Sequence, residues 1–513
     1  MQRYSPSVSD PVAWIDHAVR LHPDRPFITT AAGVVYSYRD MRDLSGRFAS
    51  ALALRGVGAG DRVAVQVDKS ADALMLYLGC LRLGAVFLPL NTAYTQVELA
   101  YFFGDAQPRM VVVRPQDRAS LRDIVQQWQI PHLETLGTDG DGSLLALAGT
   151  CESDAYRRFS GEPSALAALI YTSGTTGRSK GAMLTRANLA SNAVALVQAW
   201  SFTESDVLLH ALPVFHAHGL FIAVNTILAC GGGMLLLPRF DANEVVRLLP
   251  GATTLMGIPT FYTRLLEHPG LTTATTTHMR LFVSGSAPLL AETQRAFEAL
   301  TGHAILERYA MTETLVNTSN PYVGERLPGA VGMALPGIAV RVSSPDTGAV
   351  LDAPDSVGMI EVRGPNVFAG YWNMPEKTNA EFRDDGYFIT GDLGKIDARG
   401  YVHIVGRGKD LIITGGYNVY PKEVEGELDA LAGVLESAVI GLPHKDFGEA
   451  VTAVVVAEKD VVLDEAVLLD AMNGRLARFK LPKRVLFVTE LPRNTMGKVQ
   501  KNVLRQTYAS LYD

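Results

Sequence analysis

Residues 1–150 alternate between strand-like and helix-like segments, and this alternation restricts the fold of the chain more than any other feature. The short apolar runs Ala85–Leu90 and Met110–Val113 predict strands that are covered on both faces. Between the strand-like segment Asp61–Val67 and the first of these runs, the Leu- and Ala-rich stretch Ala71–Gly84 predicts a helix. Since parallel strands require crossover segments of this kind, the pattern favours an α/β fold with much parallel sheet.

The alternation of strand-like and helix-like segments continues in the middle of the chain, and the pattern then changes at two points. Four further strand-like segments are Val207–Leu209, Ala252–Met256, Arg280–Val283 and His303–Leu306. Residues 329–405 carry short apolar segments with frequent turn signals, which is typical of a β-rich subdomain. After Arg407–Asp410 another α/β unit begins and continues to the end of the sequence. We therefore predict two α/β sheet subdomains, a β-rich subdomain and a separate C-terminal domain.

Composition and charge exclude several classes of protein. Apolar residues make up 48% and charged residues 19% of the chain, which is ordinary for a globular protein and excludes general disorder. The net charge of −7 and the lack of a Lys/Arg-rich run argue against a nucleic-acid partner. Cys80, Cys151 and Cys230 lack the spacing of a disulfide framework or a zinc site. Since the sequence also shows no apolar leader and no membrane-length apolar run, we expect a cytoplasmic protein that acts on small molecules.

The segment Tyr171–Gly181 is the sharpest local signal for a binding site. It follows the buried-strand pattern Leu166–Ile170 and contains three glycines, five Ser/Thr hydroxyls and one lysine, Lys180. Glycines let backbone N–H groups approach an anion, while hydroxyls and a lysine add donors and charge. The spacing differs from the Walker pattern, and the alternative is a solvated polar loop. A helix with Thr185 as its N-cap is predicted to follow.

This loop resembles the phosphate-loop signature of the adenylate-forming superfamily, which includes acyl-CoA synthetases, firefly-type luciferases and peptide-synthetase adenylation domains. The other signature segments of the superfamily follow in the expected order: Glu307–Thr314, Tyr387–Asp392, Gly406–Pro421 and Pro492–Lys498. The resemblance covers essentially the whole chain. One departure is Ala310, where the superfamily usually has glycine, and the extra methyl group lies on the predicted adenine side of the pocket.

The resemblance implies that ATP activates a carboxylate to an acyl-adenylate, releasing pyrophosphate, and that a thiol then displaces AMP. Because both reactants are anions, such a site must supply cations and hydrogen-bond donors. The resemblance implies that Lys180 and Thr312 contact phosphates and that Glu313 binds Mg²⁺. Tyr309 lies near the adenine, and Asp392 with Arg407 holds the ribose. The predicted nucleotide-binding set is Thr172, Ser173, Gly174, Thr175, Thr176, Gly177, Lys180, Ser286, Ala287, Glu307, Arg308, Tyr309, Thr312, Asp392 and Arg407.

The resemblance also assigns roles to the C-terminal part of the chain. Lys498 would bridge the carboxylate and the α-phosphate, so the predicted catalytic residues are Lys498, Thr312, Glu313 and Lys180. The predicted organisation is a domain of residues 1–406, a hinge at 407–410 centred on Lys409, and a small mobile α+β domain of residues 411–513. Rotation about the hinge would present Gly415, Gly416 and Tyr417 to coenzyme A. Taken singly, a lysine such as Lys498 is most often a solvated surface charge.

Two arginines indicate which acid is activated. The sequences around Arg264, Arg308 and His216 resemble the malonyl-CoA synthetase branch of the superfamily, in which the matching arginines hold the distal carboxylate. A buried arginine requires an anionic partner, because an unpaired guanidinium in an apolar pocket is energetically unfavourable. The alternatives are that Arg264 is a charge on a helix surface and that His216 and His218 bind a metal or belong to the core.

The predicted activity is therefore ATP-dependent ligation of malonate to coenzyme A, with methylmalonate as a second substrate. The alternatives are a coenzyme A ligase for another short acid, an enzyme that loads a carrier protein, and a nucleotide-binding protein without turnover. No carrier domain is recognisable in the roughly fifteen residues after Lys498. Because acetylation removes a lysine's charge, we also predict a lysine acetyltransferase and deacetylase acting on Lys498.

Overall fold

The computed structural model describes residues 10–172, 179–415, 417–473, 475–494 and 497–512. The strands are β1 (Pro26–Thr30), β2 (Val35–Ser37), β3 (Arg62–Gln66), β4 (Val86–Pro89), β5 (Met110–Val113), β6 (His132–Thr135), β7 (Leu166–Thr172), β8 (Lys180–Thr185), β9 (Val207–His210), β10 (Gly233–Leu236), β11 (Thr254–Gly257), β12 (Leu281–Ser284), β13 (Leu306–Met311), β14 (Leu315–Ser319), β15 (Met333–Ala334), β16 (Ala339–Ser343), β17 (Gly358–Arg363), β18 (Phe388–Ile396), β19 (Val402–Arg407), β20 (Ile412–Thr414), β21 (Tyr417–Val419), β22 (Val434–His444), β23 (Gly448–Ala457) and β24 (Arg484–Phe487).

The helices alternate with these strands along most of the chain. They are α1 (Val12–Leu21), α2 (Tyr38–Leu54), α3 (Ala71–Leu83), α4 (Gln96–Ala106), α5 (Arg118–Gln127), α6 (Ser143–Gly149), α7 (Arg186–Ala199), α8 (Asn225–Cys230), α9 (Ala242–Leu248), α10 (Pro259–Leu266), α11 (Thr273–Thr276), α12 (Ala291–Thr301), α13 (Pro375–Ala380), α14 (Pro421–Asp429), α15 (Glu465–Met472) and α16 (Lys501–Thr507). A π-helical segment, His218–Val224, runs directly into α8. Among the described residues, no helix has the length and apolar character that crossing a membrane would require.

Two sheets confirm the α/β fold predicted for the first part of the chain. In the six-stranded sheet, with order β6-β5-β3-β4-β7-β8, the first five strands run parallel and β8 is antiparallel to β7. The nine-stranded sheet has the order β15-β14-β13-β12-β11-β9-β10-β1-β2, with parallel pairing from β13 to β1. The antiparallel strands β2, β14 and β15 lie at its ends.

One predicted strand is shifted along the sequence. The apolar segment His303–Leu306 was expected to form a strand, but β13 begins only at Leu306 and continues to Met311. Before it, the carbonyl of Ala304 accepts a hydrogen bond of 2.5 Å from Arg326 Nη1 rather than from a neighbouring strand. The side chains at 307–311 consequently take the alternating directions of a strand.

The predicted phosphate loop joins two antiparallel strands. Its strand Leu166–Ile170 is confirmed as part of β7, but β8 follows the loop before the expected helix begins. Thr172 pairs with Lys180 at the open end of the hairpin, so the loop leaves and enters the sheet at adjacent positions. The helix α7 then begins after Thr185, whose side chain caps it as predicted.

The chain divides by internal contacts into two compact units. The first contains residues up to Pro328, Gly332–Ala339 and Val362–Phe388. The second contains Gly329–Val331, Val340–Glu361 and the chain from Ile389 onward. Its sheets have the orders β16-β17-β18-β19 and β21-β20-β23-β22, with β24 paired to β23. The β-rich segment and the smaller C-terminal α+β part are thus present as predicted, whereas the boundary at 406 and the hinge at 407–410 stay predictions.

The cap of α7 gives a direct test of how the start of this helix is stabilised. Thr185 Oγ1 accepts from the Asn188 backbone N–H at 3.1 Å, and Asn188 Oδ1 accepts from the Thr185 N–H at 2.8 Å. We expect Thr185→Ala to lower the free energy of unfolding by about 1 kcal/mol, measured by urea denaturation. The control is Ser191→Ala within the same helix, which should change it by less than about 0.5 kcal/mol. Equal losses in the two variants would contradict this account of the cap.

Candidate active site

Arg308 is a buried cation in the first unit, on the central part of β13. Its Nε and Nη2 atoms have no hydrogen-bond partner, and no carboxylate of the described residues pairs with it. Burial lowers the pKa of the guanidinium to about 9. The group stays charged at neutral pH, so it is a strong candidate for binding an anion.

A glycine leaves room for this guanidinium. A Cβ at Gly285, directly after β12, would lie 2.5 Å from both Nε and Cζ of Arg308. Any larger residue at this position would therefore displace the charged group. The parallel pair β12 and β13 thus brings a glycine and an arginine that are 23 positions apart into contact.

His218 lies beside Arg308 and is also buried. Its Nδ1 is 3.1 Å from Ser286 Oγ, while Nε2 has no hydrogen-bond partner. Burial and the charge of Arg308 hold the pKa of His218 well below its ordinary value. Ser286 itself has a φ of +73°, a left-handed conformation that is uncommon outside glycine and turns its hydroxyl toward the histidine. A neutral imidazole and a hydroxyl next to a guanidinium suit a polar anionic ligand.

The two predicted arginines have different surroundings. Arg264 lies on α10 with an exposed side chain, and no hydrogen bond or ion pair joins it to another described residue. His216 is half-buried, and its Nδ1 accepts from the backbone N–H of His218 at 3.3 Å. The structure therefore brings Arg308, His218 and Ser286 together. Arg264 instead lies on the surface of α10, which agrees with the alternative interpretation of this residue as a charge on a helix surface.

A second group of side chains surrounds Lys180. Its Nζ is 3.2 Å from Glu381 Oε1 and lies 4.1 Å from the ring centroid of Tyr371. The hydroxyl of Tyr371 lies 2.7 Å from Glu381 Oε2 and 3.1 Å from Glu313 Oε1, and its single proton can be donated to one of these carboxylates at a time. The predicted phosphate lysine and the predicted magnesium ligand are thus linked through one tyrosine. Sequence reasoning missed Tyr371 and Glu381, because no spacing rule relates position 180 to positions 371 and 381.

Glu313 fits its predicted role as a ligand of Mg²⁺. It is buried in the turn between β13 and β14, and its carboxylate oxygens are the hard donors that this ion prefers. No group of three or more His, Cys, Asp or Glu among the described residues is arranged to hold a metal ion. Magnesium commonly uses one or two protein carboxylates together with substrate phosphates and water, which agrees with this arrangement.

The remaining predicted nucleotide residues of the first unit lie near the same strands. Glu307 is buried and accepts from the backbone N–H of Leu289 at 3.0 Å, and Tyr309 is buried two positions later. Thr172, Ala287 and Thr312 are half-buried. Ser173, Gly174, Thr175, Thr176, Gly177 and Gly416 lie outside the described residues.

The second unit contains a charged cluster of its own. Asp392 and Arg407 face each other across β18 and β19, with Arg407 Nε 2.6 Å from the buried Asp392 Oδ1. Lys498 lies near this pair, and the positive charge of Arg407 is the main cause that lowers its pKa to about 8. Desolvation of the ammonium group is the second cause. The predicted ribose-binding pair and the predicted catalytic lysine are therefore neighbours within this unit.

The predicted hinge and coenzyme A residues lie in the same unit. Lys409 is exposed in a 3₁₀ turn, Gly408–Asp410, which Asp410 ties to Arg505 through a 2.5 Å ion pair. Gly415 has a φ of +56° and donates its N–H to the carbonyl of Phe447 at 2.8 Å. The exposed ring of Tyr417 stacks on Phe479 with centroids 4.7 Å apart. Their roles in rotation and thiol binding stay predictions.

Comparison with known proteins decides the family. Residues 15–372 match the AMP-binding enzyme family, and residues 423–498 match the AMP-binding enzyme C-terminal domain. The chain belongs to the AMP-binding enzyme family. The superfamily resemblance drawn from the motifs is thereby confirmed.

Three known proteins illustrate the similarity. ATP-bound MatB from Rhodopseudomonas palustris has 58% sequence identity and a TM-score of 0.94, covering 97% of this chain and 100% of that one. The mitochondrial malonate–CoA ligase of Mus musculus is 34% identical over 518 residues, covering 93% of this chain and 87% of the relative. The sulfoacetate–CoA ligase of Cupriavidus necator is 35% identical over 510 residues, covering 97% and 98% respectively.

The lowered pKa of Lys498 can be measured directly. Its ammonium should lose its proton as the pH rises through about 8, because Arg407 disfavours a second positive charge nearby. In Arg407→Gln the pKa should rise toward 10.5, since the repulsion between the two positive charges is removed. The titration is followed by NMR of ¹³C-methylated lysines, with Lys498→Arg assigning the signal. An identical midpoint with and without Arg407 would contradict this cause.

Proposed function

We propose that the protein is an AMP-forming acid–thiol ligase that activates malonate with ATP and transfers the malonyl group to coenzyme A. The products are malonyl-CoA, AMP and pyrophosphate, and methylmalonate is a second substrate. The observation that carries the proposal is the buried guanidinium of Arg308, which has no carboxylate partner among the described residues.

The energetics of Arg308 favour an acid with two anionic groups. A buried charge without a partner destabilises the fold by several kcal/mol in order-of-magnitude terms, and a ligand carboxylate would offset that loss through a charge-assisted hydrogen bond. A fatty acid offers no such group for the same pocket. The neutral imidazole of His218 and the hydroxyl of Ser286 would supply further hydrogen bonds to a small polar acid.

The other residues suit the adenylation step. In this proposal Lys180 neutralises the β- and γ-phosphates, Thr312 contacts the α-phosphate and Glu313 binds Mg²⁺, which screens the triphosphate. Asp392 and Arg407 hold the ribose, and Lys498 stabilises the negative charge that develops at the α-phosphate during attack by the carboxylate. Coenzyme A then displaces AMP past Gly415, Gly416 and Tyr417.

A second acid is supported by one specific similarity. The relative from Cupriavidus necator is named for sulfoacetate, which carries a sulfonate where malonate has its second carboxylate. A guanidinium can pair with either anion, so sulfoacetate belongs in any substrate comparison. Loading of a carrier protein remains an alternative, and the dependence of product formation on free coenzyme A separates it from ligation.

The substrate proposal is tested with a panel of acids. Thioester formation is measured with malonate, methylmalonate, sulfoacetate, succinate, acetate and octanoate, with and without coenzyme A. We expect malonate to give the highest kcat/KM. Arg308→Met should lower that value by about 30-fold to several thousand-fold, corresponding to about 2–5 kcal/mol for a lost ion-paired contact.

Arg264→Ala is the matched variant in this panel. The exposed position of Arg264 predicts a smaller loss of malonate activity than that caused by Arg308→Met. A preference for acetate or octanoate in the wild-type protein would refute the diacid pocket while leaving the enzyme class intact. Full malonate activity in Arg308→Met would show that this arginine does not bind the acid.

Arg308 should also lower the stability of the free protein. Replacing its unpartnered guanidinium by an apolar side chain of similar length removes a buried charge, so Arg308→Met should raise the free energy of unfolding by about 1–4 kcal/mol. Urea denaturation without ligands measures this change. Saturating malonate should stabilise the wild-type protein and not the variant. A destabilised variant would argue that Arg308 has a structural role.

Two further expectations stay predictions. The cytoplasmic location rests on the sequence alone. Acetylation of Lys498 by a lysine acetyltransferase, reversed by a deacetylase, is motivated by the exposed position of this lysine, and no similarity to a known protein supports it. The acetyl group would remove the positive charge of Lys498 and so silence adenylation. Unchanged adenylation by protein fully acetylated at Lys498 would refute this effect.

A further inference from the structure

Lys69 and His210 form a buried basic pair in the first unit that the proposed reaction does not use. Lys69 follows β3 of the six-stranded sheet, and His210 is the last residue of β9 in the nine-stranded sheet. Lys69 Nζ lies 2.7 Å from His210 Nδ1 and 2.8 Å from the carbonyl oxygen of the same residue. The pair therefore links the two sheets through hydrogen bonds.

The partners of His210 determine which ring nitrogen carries its proton. Nε2 is 2.8 Å from the carbonyl oxygen of Gly219, which can only accept, so Nε2 must donate. In the neutral ring Nδ1 is then the acceptor, and Lys69 donates to it. Burial and the neighbouring Lys69 hold the pKa of His210 well below its ordinary value, which favours this neutral form.

Gly219 belongs to the first turn of the π-helical segment His218–Val224. A Cβ at Gly219 would lie 2.0 Å from the carbonyl oxygen of Pro213, so the two backbones are in direct contact there. The same turn is held from another side by His210 on the Gly219 carbonyl. Segments of π-helix often occur at functional sites, and this one begins with the residue whose ring faces Ser286.

The ionisable side chains around this turn are all basic. Lys69, His210, His218 and Arg308 are buried basic side chains, and no carboxylate of a described residue forms an ion pair with any of them. An apolar pair of similar volume would fill the place of Lys69 and His210 without burying polar groups. The hydrogen bonds of this pair end on Gly219, the residue after His218, so they act directly on the turn that carries His218.

We propose that Lys69 and His210 are positioning residues of the acyl pocket, which fix the Gly219 turn so that His218 is held against Ser286 beside Arg308. Through this chain of contacts they favour short acids that carry a second anionic group. The selectivity part rests on the proposed function, whereas the positioning part rests on the contacts alone.

Three variants test the chain of contacts. Lys69→Met removes the donor to His210, His210→Leu removes both bonds of the ring, and His210→Gln retains an N–H donor for the Gly219 carbonyl. We expect the malonate-to-acetate ratio of kcat/KM to fall at least tenfold in the first two variants, through a raised KM for malonate. The KM for ATP should stay within twofold of the wild-type value, and His210→Gln should recover most of the ratio.

Tyr38→Phe is the matched control for a structural effect. Tyr38 is buried in the same unit and donates to the carbonyl of Gly232 at 2.7 Å, away from the acyl pocket. Loss of this hydrogen bond should lower the melting temperature and leave the malonate-to-acetate ratio of kcat/KM unchanged. An unchanged ratio in Lys69→Met and His210→Leu would overturn the selectivity role.

Histidine NMR separates this inference from the proposed function. In protein labelled at histidine ¹³Cε1, the His218 signal, assigned with His218→Gln, should move in Lys69→Met in the absence of any substrate. If the wild-type protein shows no malonate preference, the proposed function fails, but a shifted His218 signal still supports positioning. A His218 signal that is identical in wild type and Lys69→Met overturns the positioning role whatever acid is activated.

Discussion

The buried guanidinium of Arg308 is the interaction on which the rest of the acyl pocket depends. A charge in this position is unfavourable until an anion reaches it, so the protein must hold the group in place by other means. It does so with strand geometry, because β13 fixes the backbone and Gly285 on the neighbouring strand leaves the space that the guanidinium fills. The pocket is thus prepared for an anion before one is bound, which reduces the reorganisation needed at binding.

The parallel sheets explain why these groups meet. In open α/β sheets ligands bind beyond the carboxyl ends of the strands, and His210, Gly285 and Ser286 all lie at such ends. The π-helical segment that follows β9 returns His218 to the same edge. Within this arrangement Lys69, His210, His218 and Arg308 form no ion pair with a carboxylate of the described residues, whereas the acidic side chains Glu313 and Glu381 lie around Tyr371 and Lys180. The unit therefore keeps the proposed acid-binding region and the predicted phosphate-and-metal region chemically distinct.

In the second unit, in contrast to Arg308 in the first, the buried charge has a partner of opposite sign. Asp392 is buried but paired with Arg407 across two strands, so its charge is neutralised before any ligand is present. The positive charge of the same arginine lowers the pKa of Lys498. Negative phosphates near Lys498 would favour its ammonium form again, so substrate binding itself would complete the charge that the proposed adenylation step requires. In the proposed function, the pKa of the catalytic lysine is thus set by a neighbouring cation.

The sequence by itself determined the fold class, the main parallel strands, the cap of α7 and the family, because periodicity, capping residues and ordered motifs are local properties of the chain. It also selected Arg308 and Lys498 as functional candidates. It misplaced the start of β13 and overlooked β8, since hydrogen bonds from distant partners such as Arg326 decide where a short apolar run becomes a strand. Only the tertiary structure distinguished a buried Arg308 from an exposed Arg264, joined Lys180 to Glu381 and Tyr371, and brought Lys69 to His210. Burial and contacts between residues more than a hundred positions apart depend on how the sheets pack, and no local pattern in the sequence encodes that packing.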